Sequence, residues 1–186
     1  MVFETGSNHY SFLKLELVDI PTLQALFEKC EDYARLVEGE EVSPTAAEEI
    51  FHSYPPGRSL EDKLLWGLFD QKNELVGLLE GFAHYPEEGT WWIGLLILAP
   101  EIRGQGVGRR LVDGFSEHVR SQNSQAIMLG VVEDNREAFA FWQRMGFILE
   151  YTRKPKQFGK KVQRVHVMRR EVMVDADERR WEIFNW

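Results

Sequence analysis

Trp91-Trp92-Ile93-Gly94-Leu95-Leu96-Ile97-Leu98, followed shortly by Arg103-Gly104-Gln105-Gly106-Val107-Gly108, decides how this chain folds. The first run is apolar at nearly every position, as a strand covered on both faces is. The second places three glycines after it. Leu111, Val112, Phe115 and Val119 then recur at helical spacing to about Gln122. Ala126 to Val132 is another buried run. Residues 91–132 therefore read as one strand–helix–strand crossover, parallel and right-handed.

Upstream, Tyr10 to Val18 alternates as a first strand. Asp19 and Pro21 start a helix carrying Leu23, Leu26, Phe27, Cys30, Ala34 and Val37 on one stripe, ended by Gly39. Ser43-Pro44 opens a second helix with Ala47, Ile50, Phe51 and Tyr54 on its buried side. Leu64–Phe69 and Leu75–Tyr85 flank the turn Asp70-Gln71-Lys72-Asn73 and form a hairpin. Downstream, Asp134 or Asn135 caps a helix burying Ala138, Phe141, Trp142 and Met145, and Gly146 ends it. Phe147–Lys154 and Val162–Arg170 are two last strands around a basic loop. The order is β-α-α-β-β-β-α-β-α-β-β. It predicts an α/β (α+β) fold: a mixed, mainly antiparallel sheet of about seven strands, one parallel crossover and about four helices.

The chain has 186 residues, 44% hydrophobic and 28% charged. That supports one packed core and excludes a wholly disordered chain. We expect a single domain over 1–186, with a core at 10–171 and a polar tail at 172–186 that carries Trp181, Phe184 and Trp186. The longest apolar run is about half of the roughly 20 residues a membrane span needs. No signal peptide opens the chain, and a cytoplasmic protein is expected. One cysteine supports neither an internal disulfide nor a multi-thiolate zinc site, so no metal is expected. Cys30, on its helix stripe, reads as core. The net charge of −8 argues against nucleic-acid binding. It is unevenly placed: residues 1–62 are strongly acidic and residues 103–170 basic. Such a division suits a cationic ligand on the earlier half and an anionic one on the later, or two solvated faces.

Between a buried strand and a helix, Arg103 to Gly108 has a specific chemistry. Glycines let backbone N–H groups approach a ligand closely, and the helix start adds unpaired donors and a positive dipole end. Together they suit a pyrophosphate, with Arg103, Arg109 and Arg110 adding charge. A Walker A loop is excluded because no Gly-Lys-Ser/Thr ends the run. A dinucleotide fingerprint is excluded because Gly108 follows Gly106 by two residues, not three.

Arg103-Gly104-Gln105-Gly106-Val107-Gly108 resembles the Q/R-x-x-G-x-G/A loop of the GNAT N-acetyltransferase superfamily. Asn135-Arg136-Glu137-Ala138-Phe139-Ala140-Phe141-Trp142-Gln143-Arg144-Met145-Gly146-Phe147 is similar to its N-x-x-A-x-x-F-Y-x-x-x-G-F block, and the element order agrees over about 10–171. The resemblance implies the GNAT-like acyl-CoA N-acyltransferase fold and transfer of acetyl from acetyl-CoA to a primary amine of a small molecule. It implies that Arg103, Gly104, Gln105, Gly106, Val107, Gly108 and Arg109 hold the pyrophosphate. Leu96, Ile97 and Leu98 would meet the pantetheine arm with backbone groups where the two crossover strands splay. An N–H near Leu98 would polarise the thioester carbonyl. Asn135 would contact the cofactor arm, or simply cap its helix.

The family's usual general acid, a tyrosine, falls at Trp142. Indole N–H does not deliver a proton at neutral pH, so Trp142 reads as a cleft wall or core. A thiolate of parent pKa about 8.5 leaves without an enzyme acid; Tyr151 and Tyr85 are weak substitutes. The attacking amine must lose a proton. Glu80, inside an apolar strand, is the first candidate base, with His84 on the same side by alternation second and Glu101 third. An ion pair would equally explain Glu80. Glu38, Glu40, Glu41, Glu48 and Glu49 would favour a cationic amine across the first helices, or form a solvated face. The loop 154–161 reaches substrate, CoA or a second subunit, and a homodimer is allowed. A CoA-binding domain without chemistry, an NAD-linked enzyme and a protein-amine acetyltransferase are the competing readings.

Overall fold

The computed structural model describes residues 2–5 and 8–172, and the expected tail aromatics lie outside them. Eight strands form one sheet: β1 (Val2–Thr5), β2 (Asn8–Lys14), β3 (Lys63–Phe69), β4 (Leu75–Phe82), β5 (Thr90–Leu98), β6 (Ala126–Val132), β7 (Ile148–Phe158) and β8 (Lys161–Glu171). Their spatial order is β1-β2-β3-β4-β5-β6-β8-β7. Every neighbouring pair is antiparallel except β5–β6, the expected crossover. Five α-helices cover the sheet: α1 (Ile20–Lys29), α2 (Glu31–Val37), α3 (Ala46–His52), α4 (Val107–Ser121) and α5 (Arg136–Arg144).

The sequence pattern and the structure differ at several places. A strand, β1, precedes the expected first one, which ends at Lys14 rather than Val18, with Leu17 and Val18 exposed in a short helical turn, Leu17–Asp19. The first expected helix is two: Cys30, at φ −98° and ψ 27°, leaves the helical basin and α2 restarts after it. Tyr54 is 53% exposed and lies past the end of α3, because the chain is extended at Ser53. The expected basic loop is mostly strand. Pro155, which cannot donate to a ladder, sits where the β7–β8 register shifts between Arg153 and Lys156, and β7 is an edge strand. Finally, β4 ends at Phe82. The backbone then turns through His84 at φ 54°, so His84 does not extend the row containing Glu80.

Helices α1 and α3 bury Leu23, Leu26 and Ala47 against one part of the sheet, with Leu65, Leu78 and Ile97. On α4 and α5, Val112, Phe115 and Trp142 join Leu79, Trp91, Ile93 and Leu129 in a second cluster. Each such Leu or Phe contributes on the order of 1.5–3 kcal/mol of burial. These clusters hold β5 and β6 in place while their far ends are left apart.

Candidate active site

Parallel pairing of β5 with β6 runs only from Thr90–Ala126 to Ile93–Leu129. Beyond it β6 continues against β8 as far as Val132–Val165, while β5 continues against β4. The two strands therefore part over Gly94–Leu98. Antiparallel pairing alternates the edge each residue addresses. Because Ala99 N–H is given to Val76 O at 2.8 Å, Ile97 addresses β4 as Ala99 does. Leu96 and Leu98 turn their amide groups to the opened edge. Leu98 O already accepts Arg103 Nε at 2.8 Å and the Cys30 thiol at 3.4 Å. Leu96 and the Leu98 N–H remain for an extended ligand.

A single turn, Pro100–Ile102, carries the chain from β5 to the glycine loop. Gly104 at φ 74° and Gly106 at φ 80° are left-handed, where a side chain is strained. A Cβ at either would meet nothing within 4 Å, so the loop's outer surface is open. Gly106 also precedes α4 with no side-chain cap, and the first backbone bond back to it comes from Arg110 at 3.2 Å. The N–H groups of Val107, Gly108 and Arg109 are the orphan donors of that helix start. At Gly108 a Cβ would lie 3.4 Å from Phe141 and 3.5 Å from Leu98, so α4 packs close to α5 and β5.

The arginine side chains lie elsewhere. Arg103 forks onto Asp32 of α2, with Nη2 at 3.1 Å from Oδ1, and so fastens α2 to the end of β5. Arg109 is exposed and lies 3.7 Å from Asp113. Gln105 donates to Glu101 O at 2.7 Å, closing the loop on itself. Asn135 Oδ1 accepts from Ala138 N at 3.0 Å, a helix cap. Trp142 is 7% exposed, its ring edge-on to Phe141 and Phe147.

On the opposite side of the opened strands, Glu80 is 7% exposed. It pairs with Leu95 while Gly81 pairs with Ile93, so Gly94 is an extra, bulged residue. A Cβ at Gly94 would overlap the Glu80 carboxylate and come within 2.9 Å of the Phe82 ring. Only glycine admits the carboxylate there. Glu80 Oε1 lies 2.7 Å from Lys63 Nζ, off the axis of a hydrogen bond. Lys63 also donates to Ser53 O at 2.8 Å and to Ile50 O, which ties this pair to the end of α3. Burial raises the Glu80 pKa and Lys63 opposes that rise. His84 instead faces Glu88 at 2.8 Å at a half-exposed turn. Burial pushes the Cys30 thiol up. Tyr151 is 45% exposed on the edge strand, and Tyr85 lies edge-on to Trp92. Of the acidic residues, Glu41 pairs with Arg35 at 3.3 Å and Glu40 with Lys160 at 3.7 Å. Glu101 lies 3.7 Å from Lys29.

Three residues escaped the sequence reading. Lys63 opens an apolar strand, a position that signals a buried partner. Tyr33 and Gln163 sit among mixed polar and apolar neighbours and signal nothing locally. Burial, with the nearby carboxylates of Glu38 and Glu80, pushes the Tyr33 phenol up to about 12.

Residues 23–147 match the model of the acetyltransferase (GNAT) family. The chain belongs to that family. Over 56 residues it is 32% identical to an N-alpha-acetyltransferase 30 from Schizosaccharomyces pombe, which is 30% of this chain and 37% of that one. The chain covers 37%, 65% and 16% of the lengths of the curated relatives it matches. Among solved structures it resembles an acetyltransferase from Thermus thermophilus, at TM-score 0.67 and 20% identity over 87% of this chain and 96% of that one. It also resembles the spermidine N-acetyltransferase from Vibrio cholerae in complex with CoA and spermine, at TM-score 0.68 and 20% identity over 88% and 95%. These likenesses establish the GNAT fold. Among the described residues no helix is long and apolar enough to cross a membrane.

Proposed function

We propose that this chain moves an acetyl group from acetyl-CoA to a primary amine of a small molecule, by direct attack when both are bound. One observation carries this reading: an open cradle of left-handed glycines at a bare helix start, beside two parted parallel strands. An extended ligand with a diphosphate at one end fits that surface. N–H groups of the loop and of Val107, Gly108 and Arg109 hold the diphosphate, and Leu96 and Leu98 hold the arm. Acetyl-CoA supplies an activated acyl carbon. An N–H near Leu98 polarises its carbonyl.

Glu80 is the base in this reading. Its burial favours the neutral acid, Lys63 favours the carboxylate, and the two influences oppose each other. A carboxyl raised toward neutrality accepts an ammonium proton more readily than one at its ordinary value. His84, at its turn, is the second choice. The acidic first third of the chain supports a cationic acceptor, as does the amine named for the Vibrio cholerae relative.

The test is acetyl-CoA calorimetry together with turnover on an amine panel. Tight binding and release of free thiol with an amine are expected. Glu80→Gln should spare acetyl-CoA affinity and lower turnover most near neutral pH. An unchanged pH–rate profile removes Glu80 as base. A second reading, CoA binding without chemistry, is favoured by Trp142 standing buried at the family's tyrosine position. It predicts tight binding and no thiol release with any amine.

A further inference from the structure

The face of the sheet opposite Glu80 carries a hollow that the proposed reaction does not use. Trp66 of β3 follows Leu65, the partner of Glu80, and so points to the other face, where Phe12 of β2 joins it by register. The Trp66 ring lies 4.9 Å from His118 of α4 and 5.8 Å from Phe12, centroid to centroid. With Glu117 and Ser121 these rings line a cavity of about 320 Å³. Burial lowers the His118 pKa, so its ring is neutral and packs as an apolar one. Gly114, Glu117, His118 and Ser121 recur at helical spacing and form one flank of α4, which at Gly114 has no side chain. The result is a trough between α4 and β3, with an aromatic floor and a carboxylate at its rim. Among the described residues Glu117 has no ion-pair partner.

The chain leaves the described fold close to this trough. Val172 is buried, packs in the cluster of Val112 and Val119, and donates its N–H to Gln125 O at 2.8 Å. Gln125 follows Ser121 by four residues, so residue 172 lies beside the C-terminal end of α4. From β8 to β3 the sheet spans four strand steps, about 19 Å at about 4.8 Å each. The nine residues from Val172 to Trp181, fully extended, reach about 30 Å. Residues 173–186 carry Trp181, Phe184 and Trp186, and Arg179-Arg180 immediately precede the first of these. An indole next to two cations complements an aromatic hollow with a carboxylate at its rim.

We infer that the trough between α4 and β3 is the docking site of this chain's own residues 173–186, with the Trp181 indole in the cavity against Trp66 and His118 and the Arg179-Arg180 pair at Glu117. A tethered segment meets its site at an effective concentration of about a millimolar, so contacts too weak to hold a free peptide suffice to hold this one. The segment clasps the C-terminal half of α4, the helix whose start is the proposed diphosphate cradle.

The experiment combines Ser121→Cys with Glu182→Cys in the full chain and treats the protein with a short bis-maleimide. Ser121 is exposed at the rim of the cavity, and the native Cys30 is buried. Each single variant is the control. The expected product is a link between positions 121 and 182 within one chain, read by mass spectrometry of the monomer. A link joining two chains would give the trough to a second copy and overturn the inference. Absence of any link beyond that in the controls would overturn it as well. Trp181→Ser supplies a second measurement. It should lower the melting midpoint by about 3 °C through the lost aromatic contacts. An unchanged midpoint overturns the inference. Neither readout involves acetyl-CoA, so failure here would leave the proposed catalysis standing.

Discussion

The two sides of the parted strands are built from different materials. The proposed cofactor side is backbone: glycines at positive φ, a bare helix start, and the amides of Leu96 and Leu98. The proposed acceptor side is side chain: Glu80 of β4 with Lys63 of β3, which is tied in turn to the end of α3. A backbone site depends on conformation and tolerates neighbours that vary. A side-chain site depends on burial, so each partner removed leaves another polar group stranded. The same molecule can therefore keep one ligand while its second ligand is retuned.

The largest effect should come from breaking the backbone side. Gly106→Glu places a strained, negatively charged side chain at the loop. Acetyl-CoA affinity should fall at least about a thousand-fold, since one charge and lost N–H contacts together exceed about 4 kcal/mol. A native melting curve would show that the fold is intact, and retained affinity would refute the cradle. Next is Lys63→Met on the side-chain side. It leaves a buried carboxylate without its cation and should cost about 3 kcal/mol in urea unfolding, while acetyl-CoA affinity changes little. Because the Glu80 pKa rises further without Lys63, the loss should grow as pH increases through that raised value. A flat pH dependence would refute the pairing.

Asn135→Ala separates a cap from a cofactor contact. Loss of the bond to Ala138 N should cost about 1 kcal/mol of stability. Acetyl-CoA affinity should hold, and a matching loss of affinity would restore the cofactor role. The smallest effect is Asp32→Asn. The Arg103 hydrogen bond holds this exposed carboxyl below its ordinary value, against partial burial. Its contribution is present above the unfolded pKa and fades as acid takes the pH through the lowered folded one. The cost at neutral pH should stay under about 1 kcal/mol. Acceptor KM should rise more than acetyl-CoA Kd if α2, which this pair fastens to the end of β5, borders the proposed acceptor side.

Most of the sheet was legible from hydrophobic period, and the glycine loop from composition. Two local patterns misled. Alternation from Leu75 ran on through His84, but a left-handed turn there outweighed it. The stripe from Leu23 to Val37 gave one helix, and the break at Cys30 left that periodicity intact. The spacing points to the loop backbone as the proposed diphosphate site, while the Arg103 side chain, expected to add charge there, is turned to Asp32 instead.

By itself the sequence determined the crossover, the cradle and the family, because these follow from neighbours along the chain: runs of apolar residues, glycines and a helix start. The tertiary structure alone decided which polar groups meet. Lys63 and Glu80 become partners across a strand pair, and Gln163 reaches α2 across 126 residues of sequence. Burial, not local pattern, leaves the Gln163 oxygen without a hydrogen bond among the described residues, and burial is a property of the assembled fold.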